Sequence, residues 1–280
     1  MRLPSRVAVA IAIACGVVGF CAAVACSTFD TASPADGDVA DAVSPDGGSV
    51  DAGSVSPCVG AEHLFCADFN ENPFNRGWDD QYFNNDASTT LALDKSRSVS
   101  PPSSLHAHLD DSAFAVEASL IEKIRFAPMS VDVSLSLRVN MPTTGSSSPL
   151  SFVVGQTGAG EALFVVMQQR GNNVELSLTE VHHVDGGDTL TSHPSAKPIP
   201  IENPTQWHRL RVTAVATSTV PLRGDLTLYV DGVMGVTTNA TFEAPSGSPG
   251  LLVQVGIRHF DDNYPVQDVN IDDVIIDATP

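Results

Sequence analysis

Glu175 and Glu180 stand five positions apart in Glu175-Leu176-Ser177-Leu178-Thr179-Glu180, and a pair of carboxyls is what glycosidic-bond cleavage uses. A retaining enzyme places the two roughly 5 Å apart, one as nucleophile and one as acid and base. In a regular strand, residues five apart face opposite sides, so convergence here requires a bulge. Without one, Glu175 and Ser177 simply occupy a wet strand face. His106 and His108 share one strand face, as a metal pair does, but no third ligand is evident. Phe260, Asp261, Asp262, Asn263 and Tyr264 put aromatics beside carboxylates and an amide, the composition of a glycan-binding loop; Trp78-Asp79-Asp80-Gln81-Tyr82 shares it. Asp272 and Asp273 interrupt an alternating run. In a regular strand one of them faces the core, where a carboxylate needs a partner or a metal unless a bulge intervenes.

The elements that position these groups are strands. Val131, Val133, Leu135, Leu137 and Val139 alternate with Asp132, Ser134, Ser136 and Arg138, one dry face against one wet face. Leu210, Val212 and Ala214 repeat the pattern against Arg209, Arg211 and Thr213, and so do Leu226, Leu228 and Val230. Asp231-Gly232 then predicts a type I′ hairpin turn, whose two central residues need positive φ. Leu105, Ala107 and Leu109 alternate with His106 and His108. Leu120–Phe126 fits either a short helix or a strand, and the strongly β pattern after it favours the strand. Short strands separated by turn signals, with no convincing helix, predict an all-β fold, a two-sheet antiparallel sandwich or a barrel. Trp78 and Trp207 are expected in its core.

The chain has 280 residues and a formal charge of −19. An N-terminal segment carries Arg2 and Arg6, then an uncharged run from Val7 to Ala25, then Ala23-Val24-Ala25 before Cys26. That is the layout of a signal peptide over residues 1–25, and it resembles a bacterial lipoprotein signal, which implies lipidation of Cys26. Simple secretion and an uncleaved anchor are the other readings. All three put the main domain outside the cytoplasm, in the cell envelope and facing the periplasm or the exterior. Cleavage and lipidation leave one cysteine pair, Cys58 and Cys66, expected to close a short disulfide loop. Residues 26–57 are rich in Ser, Pro, Ala, Gly and Asp and hold no Lys or Arg, the composition of a disordered acidic linker. Residues 58–280 are the folded domain. Without the leader, 12 basic residues face 33 acidic ones, a net of −21, which argues against nucleic acid as a partner.

Four segments together resemble the laminin-G-like, concanavalin A-like jelly-roll domains of bacterial surface lipoproteins. They are Leu64-Phe65-Cys66-Ala67-Asp68-Phe69 with Gly77-Trp78, Pro101-Pro102-Ser103-Ser104-Leu105, Trp207-His208 with Leu226–Gly232, and Val269-Asn270-Ile271-Asp272-Asp273-Val274. The resemblance implies a jelly-roll β-sandwich from Cys58 onward. It also implies one structural calcium, with Asp68 or Glu71 near the first strand and Asp272 or Asp273 in the last as ligands. Glu175–Glu180 resembles the E-x-D-x-x-E motif of laminarinase-type glycoside hydrolases on this fold, with Ser177 where the central Asp belongs. The expected function is a non-catalytic module of the envelope, held to the membrane through lipid on Cys26 and binding a polysaccharide or an envelope protein. A structural protein with no small ligand is the alternative, and a laminarinase-type hydrolase is a third.

Overall fold

The alternation from Val131 to Val139 becomes a single strand of 12 residues, Ser130–Met141, in which Val131, Val133, Leu135, Leu137 and Val139 are all buried. The computed structural model describes residues 56–60, 62–83, 89–110, 117–141, 146–154, 161–170, 173–184, 187–192, 198–219, 222–242, 250–259 and 266–280. Within them the chain forms two antiparallel sheets of eight strands each, and no helix. The strands are β1 (Phe65–Ala67), β2 (Asp80–Phe83), β3 (Thr89–Asp94), β4 (Ser104–Leu109), β5 (Glu117–Ile124), β6 (Ser130–Met141), β7 (Ser146–Val154) and β8 (Glu161–Arg170). They continue as β9 (Asn173–Val184), β10 (Gly187–Ser192), β11 (Ile199–Ile201), β12 (His208–Thr219), β13 (Leu222–Val230), β14 (Val233–Phe242), β15 (Leu251–His259) and β16 (Gln267–Thr279). The ambiguous stretch near Leu120 is therefore a strand, β5.

The first sheet runs β14-β13-β12-β6-β16-β4-β3, with β1 also paired to β16. The second runs β10-β9-β8-β7-β15-β5-β2, with β11 paired to β9. One continuous core lies between them. Leu135, Leu210, Leu228 and Ile271 come from the first sheet; Leu120, Phe152, Leu178 and Val255 come from the second. Fully burying each such side chain contributes about 1.5–3 kcal/mol, which makes this layer the main source of stability. Trp78 joins the core at one corner, where Phe65 meets its ring edge-on at 4.6 Å and Phe69 lies nearly parallel to it at 6.4 Å. Trp207 is only half-buried.

Two local features shape the faces. Asp231 and Gly232 take φ of 51° and 76° between the paired residues Val230 and Val233, the expected I′ geometry. In β16, Asp272 pairs with Ser136 and Ile275 with Ser134, so Asp273 and Val274 together oppose Leu135. This is a β-bulge, with Asp273 at φ 49°. It resolves the conflict between the two aspartates: Val274 returns to the core while neither carboxylate has to enter it.

Candidate active site

The outer face of the second sheet carries a polar recess built from β5, β7 and β15. Glu117, Ser119, Ser151 and Gln254 lie on this face yet are all buried; Glu117 is only 8 % exposed. Ser119 Oγ donates to Glu117 Oε1 at 2.5 Å, and Gln254 Nε2 donates to the same oxygen at 3.2 Å. Gln254 Oε1 in turn accepts from Ser151 Oγ at 2.7 Å, so the amide is held from both ends. Arg258, the register partner of Glu117, brings Nη1 to 4.0 Å from Glu117 Oε2. Burial pushes the Glu117 carboxyl above its ordinary pKa, against the opposing pull of the Ser119 hydrogen bond and the Arg258 charge. A cavity of about 10 Å³ lies among these groups, room for roughly one water. A larger ligand would therefore lie across the recess rather than inside it. Tyr82, the register partner of Ser119 on β2, is half exposed.

Gly256 makes the recess possible. A Cβ there would come within 2.1 Å of the Ala118 carbonyl oxygen and 2.5 Å of Ser119 Cα. β15 therefore approaches β5 too closely for any side chain. Beside it, the register of β15 against β7 shifts between Val255 and Arg258, which leaves Arg258 aligned with both Glu117 and Ser148. Three parts define the chemistry open to this site: a carboxyl that burial keeps protonated more readily than usual, an arginine beside it, and a phenol at the edge.

The outer face of the first sheet carries a different cluster. Asp268 stands between two imidazoles, with His106 Nε2 at 3.1 Å from Oδ1 and His108 Nδ1 at 3.1 Å from Oδ2. Asn140 Nδ2 donates to Asp268 Oδ1 and to Asn270 Oδ1, both at 2.6 Å. Burial alone would raise the Asp268 carboxyl, but the hydrogen bonds from His106 and Asn140 outweigh it and hold the group at about 2. Its hydrogen bond to Asp268 raises His106.

The structure separates or accounts for most residues singled out from the sequence. Cys58 and Cys66 form a disulfide. Glu175 and Glu180 do not converge: β9 pairs with β8 without a register shift, and odd and even positions face opposite sides. Glu180 falls in the row of Leu176 and Leu178 and is buried; Glu175 is on the other face. Asp272 is fully buried and needs no ion to explain it. Its Oδ2 accepts from the Val99 and Ser100 backbone N–H groups at 2.8 and 3.0 Å, and its Oδ1 from the Asp273 N–H at 2.9 Å. Burial, with the Asp273 charge nearby, still raises it to about 7. Asp273 accepts from Ser100 Oγ at 2.6 Å and feels the charge of Asp68. Glu71 pairs with Arg76 at 2.7 Å, both well exposed. Among the described residues no three His, Cys, Asp or Glu side chains are grouped to hold a metal ion. Cys26 and the loop Phe260–Tyr264 lie outside the described residues.

The recess was not anticipated from sequence. Glu117 comes from β5 and its partners Gln254 and Arg258 from β15, more than 130 residues later. The one available signal was polarity on the sheet-facing alternation of β5: Glu117 and Ser119 alternate with Ala118 and Leu120.

No family model matches the chain, and no curated protein matches it. Solved structures do. An endo-β-1,4-glucuronan lyase from the fungus Trichoderma reesei superposes with a TM-score of 0.53 at 14 % identity, covering 78 % of this chain and 96 % of that one. An alginate lyase from the marine Aplysia kurodai gives 0.53 at 10 % identity over 79 % of this chain and 100 % of its own. The alginate lyase Aly36B gives 0.51 at 9 % identity, with coverages of 76 % and 95 %. The likeness is one of fold: an all-β, two-sheet jelly-roll sandwich. It also corrects an expectation. The non-catalytic module anticipated from sequence, and with it the absence of enzymatic activity, loses its support, because these structural neighbours are polysaccharide lyases.

Proposed function

We propose that this chain cleaves an acidic polysaccharide by β-elimination at the Glu117–Arg258 recess. The observation that carries the reading is a carboxyl group on an outer sheet face that burial biases toward its protonated form, beside an arginine. Abstraction of the proton next to a uronate carboxylate drives negative charge onto that carboxylate. Arg258 and protonated Glu117 supply hydrogen-bond donors for the charge, and Gln254 and Ser119 fix Glu117 in place. The electrons of the broken C5–H bond form the C4=C5 double bond as the C4–O4 bond breaks, and the departing oxygen takes a proton. Tyr82, the half-exposed register partner of Ser119 on this face, is assigned both proton transfers: as phenolate it takes the C5 proton, and as phenol it returns that proton to the departing O4. The lyase fold of the structural neighbours agrees with this chemistry.

On the same reading the enzyme lies outside the cytoplasm, attached through lipid on Cys26. Arg2, Arg6 and the uncharged run before Cys26 support that address. One structural calcium belongs to this reading as well, with Asp68 or Glu71 and Asp272 or Asp273 as its carboxylates; the N–H donors already held by Asp272 favour Asp273 of the last two. The test is incubation of the full chain with glucuronan, alginate and a neutral glucan. Rising ultraviolet absorbance from the unsaturated product on an acidic polymer supports elimination. New reducing ends without that absorbance would mean hydrolysis and overturn the mechanism; no cleavage of any acidic polymer would overturn the function.

A further inference from the structure

His106 and Arg138 lie in one row across three strands of the first sheet. His106 pairs with Asn270 on β16, and Asn270 pairs with Arg138 on β6. His108 stands in the next row, opposite Asp268. Neighbouring strands are about 4.8 Å apart, so the row from His106 to Arg138 spans about 10 Å, the reach of one or two sugar rings. Both imidazoles are about a quarter exposed and turn one ring nitrogen inward to Asp268. The opposite ring nitrogens, His106 Nδ1 and His108 Nε2, are thereby directed away from the carboxylate. Asp268 is itself fixed by Asn140, which also holds Asn270, so the rings are anchored from beneath.

The charges around this row differ from those of the chain as a whole. Most arginines with described side chains face a carboxylate: Arg76 with Glu71, Arg125 with Asp79, Arg211 with Asp132, Arg258 with Glu117. Arg138 instead spends its Nε–H on the Thr205 carbonyl. Arg97 lies close enough to act on both Arg138 and His106. An acidic chain thus gathers two arginines and two imidazoles on one sheet face.

We infer that His106, His108 and Arg138 form a second binding site for an acidic saccharide, on the sheet opposite the recess. The inference rests on the reading of the substrate as an acidic polysaccharide. A polymer cut at one face is retained at the other, which holds a long chain near the enzyme between cleavages. The facing charges are Asp94 on β3, Arg97 after it, Asp268 on β16 and Arg138 on β6. With neutral imidazoles the two arginines and two aspartates balance. Protonation of His106, which its hydrogen bond to Asp268 favours, adds positive charge and an outward Nδ1–H donor, so the site strengthens as pH falls.

The test titrates the full chain carrying Glu117→Gln with glucuronan and alginate tetrasaccharides by calorimetry, at about pH 6 and about pH 8. Binding roughly tenfold tighter at the lower pH is expected, from charge-assisted hydrogen bonds. His106→Gln with His108→Gln, added to that chain, should abolish the gain, and Arg138→Gln should weaken binding at both pH values. In the parent, the His variants should leave the turnover of a short substrate unchanged. Equal affinity at both pH values, unchanged binding by the His variants, or no binding of either tetrasaccharide would overturn the site. So would a His-dependent response to zinc in place of saccharide. Cleavage assays on the parent report separately on the recess, so failure of one reading is distinguishable from failure of the other.

Discussion

Glu117 and Arg258 are register partners on β5 and β15, and their charged ends stand 4.0 Å apart on a face where Glu117 is almost wholly shielded from water. If protonated Glu117 and Arg258 together stabilise the developing carboxylate charge, either loss should slow turnover with folding intact. Arg258→Ala is expected to lower kcat by about 10²–10³-fold, the scale for losing one charge-stabilising donor. Glu117→Gln keeps a donor and should cost less. In the parent, kcat/KM should decline as pH rises through the elevated Glu117 pKa, because the useful form is the acid. Glu117→Gln should remove that decline, as a pH–rate profile will read.

Asp272 ties β16 to the segment before β4 through the N–H groups of Val99 and Ser100. Asp272→Ala removes the acceptor of the Ser100 N–H, and Ser100 is 1 % exposed. The expected loss is about 1–3 kcal/mol, the cost of that one buried N–H left without its acceptor. Asp272→Asn, which retains an acceptor, should cost less. Chemical denaturation should register a lower midpoint at unchanged slope.

Stability should peak in mildly acidic solution. Burial raises Glu117, Glu122 and Asp273, raises Asp272 to about 7, and the Asp268 hydrogen bond raises His106. Between about pH 4 and pH 7 the folded chain therefore binds more protons than the unfolded one, and stability falls as pH rises. In stronger acid the sign reverses. Asp268, at about 2, and Asp94, lowered by its Ser96 bonds against burial, must be protonated on unfolding before they are in the fold. A melting-temperature series from pH 3 to pH 8 should show this maximum; a steady rise to pH 8 would contradict the burial of these groups.

Gly256→Ala drives a Cβ into the Ala118 carbonyl and is expected to destabilise by about 2 kcal/mol or more, with the recess distorted. Gly232→Ala meets no atom within 4 Å and suffers only from its φ of 76°, so a loss of about 1 kcal/mol is expected. Comparing the two separates a steric requirement from a conformational one.

Calcium should raise the melting temperature of the parent and EDTA should lower it, as for any ligand of the native state alone. Asp273→Asn should remove the difference. Identical melting in calcium and EDTA would dispose of the metal.

What the sequence revealed depended on how far apart the interacting residues are. The strand of Val131–Val139 and the turn at Asp231-Gly232 are written in neighbouring residues, and both appear as expected. Asp272-Asp273 was legible as a conflict, since strict alternation offers no good place for both; only the pairing with Leu135 showed that a bulge resolves it. The His106–Asp268 pair spans 162 positions and the Glu117–Gln254 pair 137. Each half alone looks like an ordinary polar residue on a wet strand face. Their chemistry exists only once the strand order sets β4 beside β16 and β5 beside β15.

The Cys58–Cys66 bridge has a mechanical meaning. Cys66 is the central residue of β1, and β1 lies against β16, the last strand of the chain. A pull on the polypeptide upstream of Cys58 would pass through the sulfur bond straight into β1, sparing the loop between them. Load would then reach the interior of the first sheet at its contact with β16, which β4 and β6 also flank. Under tension the domain would yield at a four-strand junction rather than peel from a loose end.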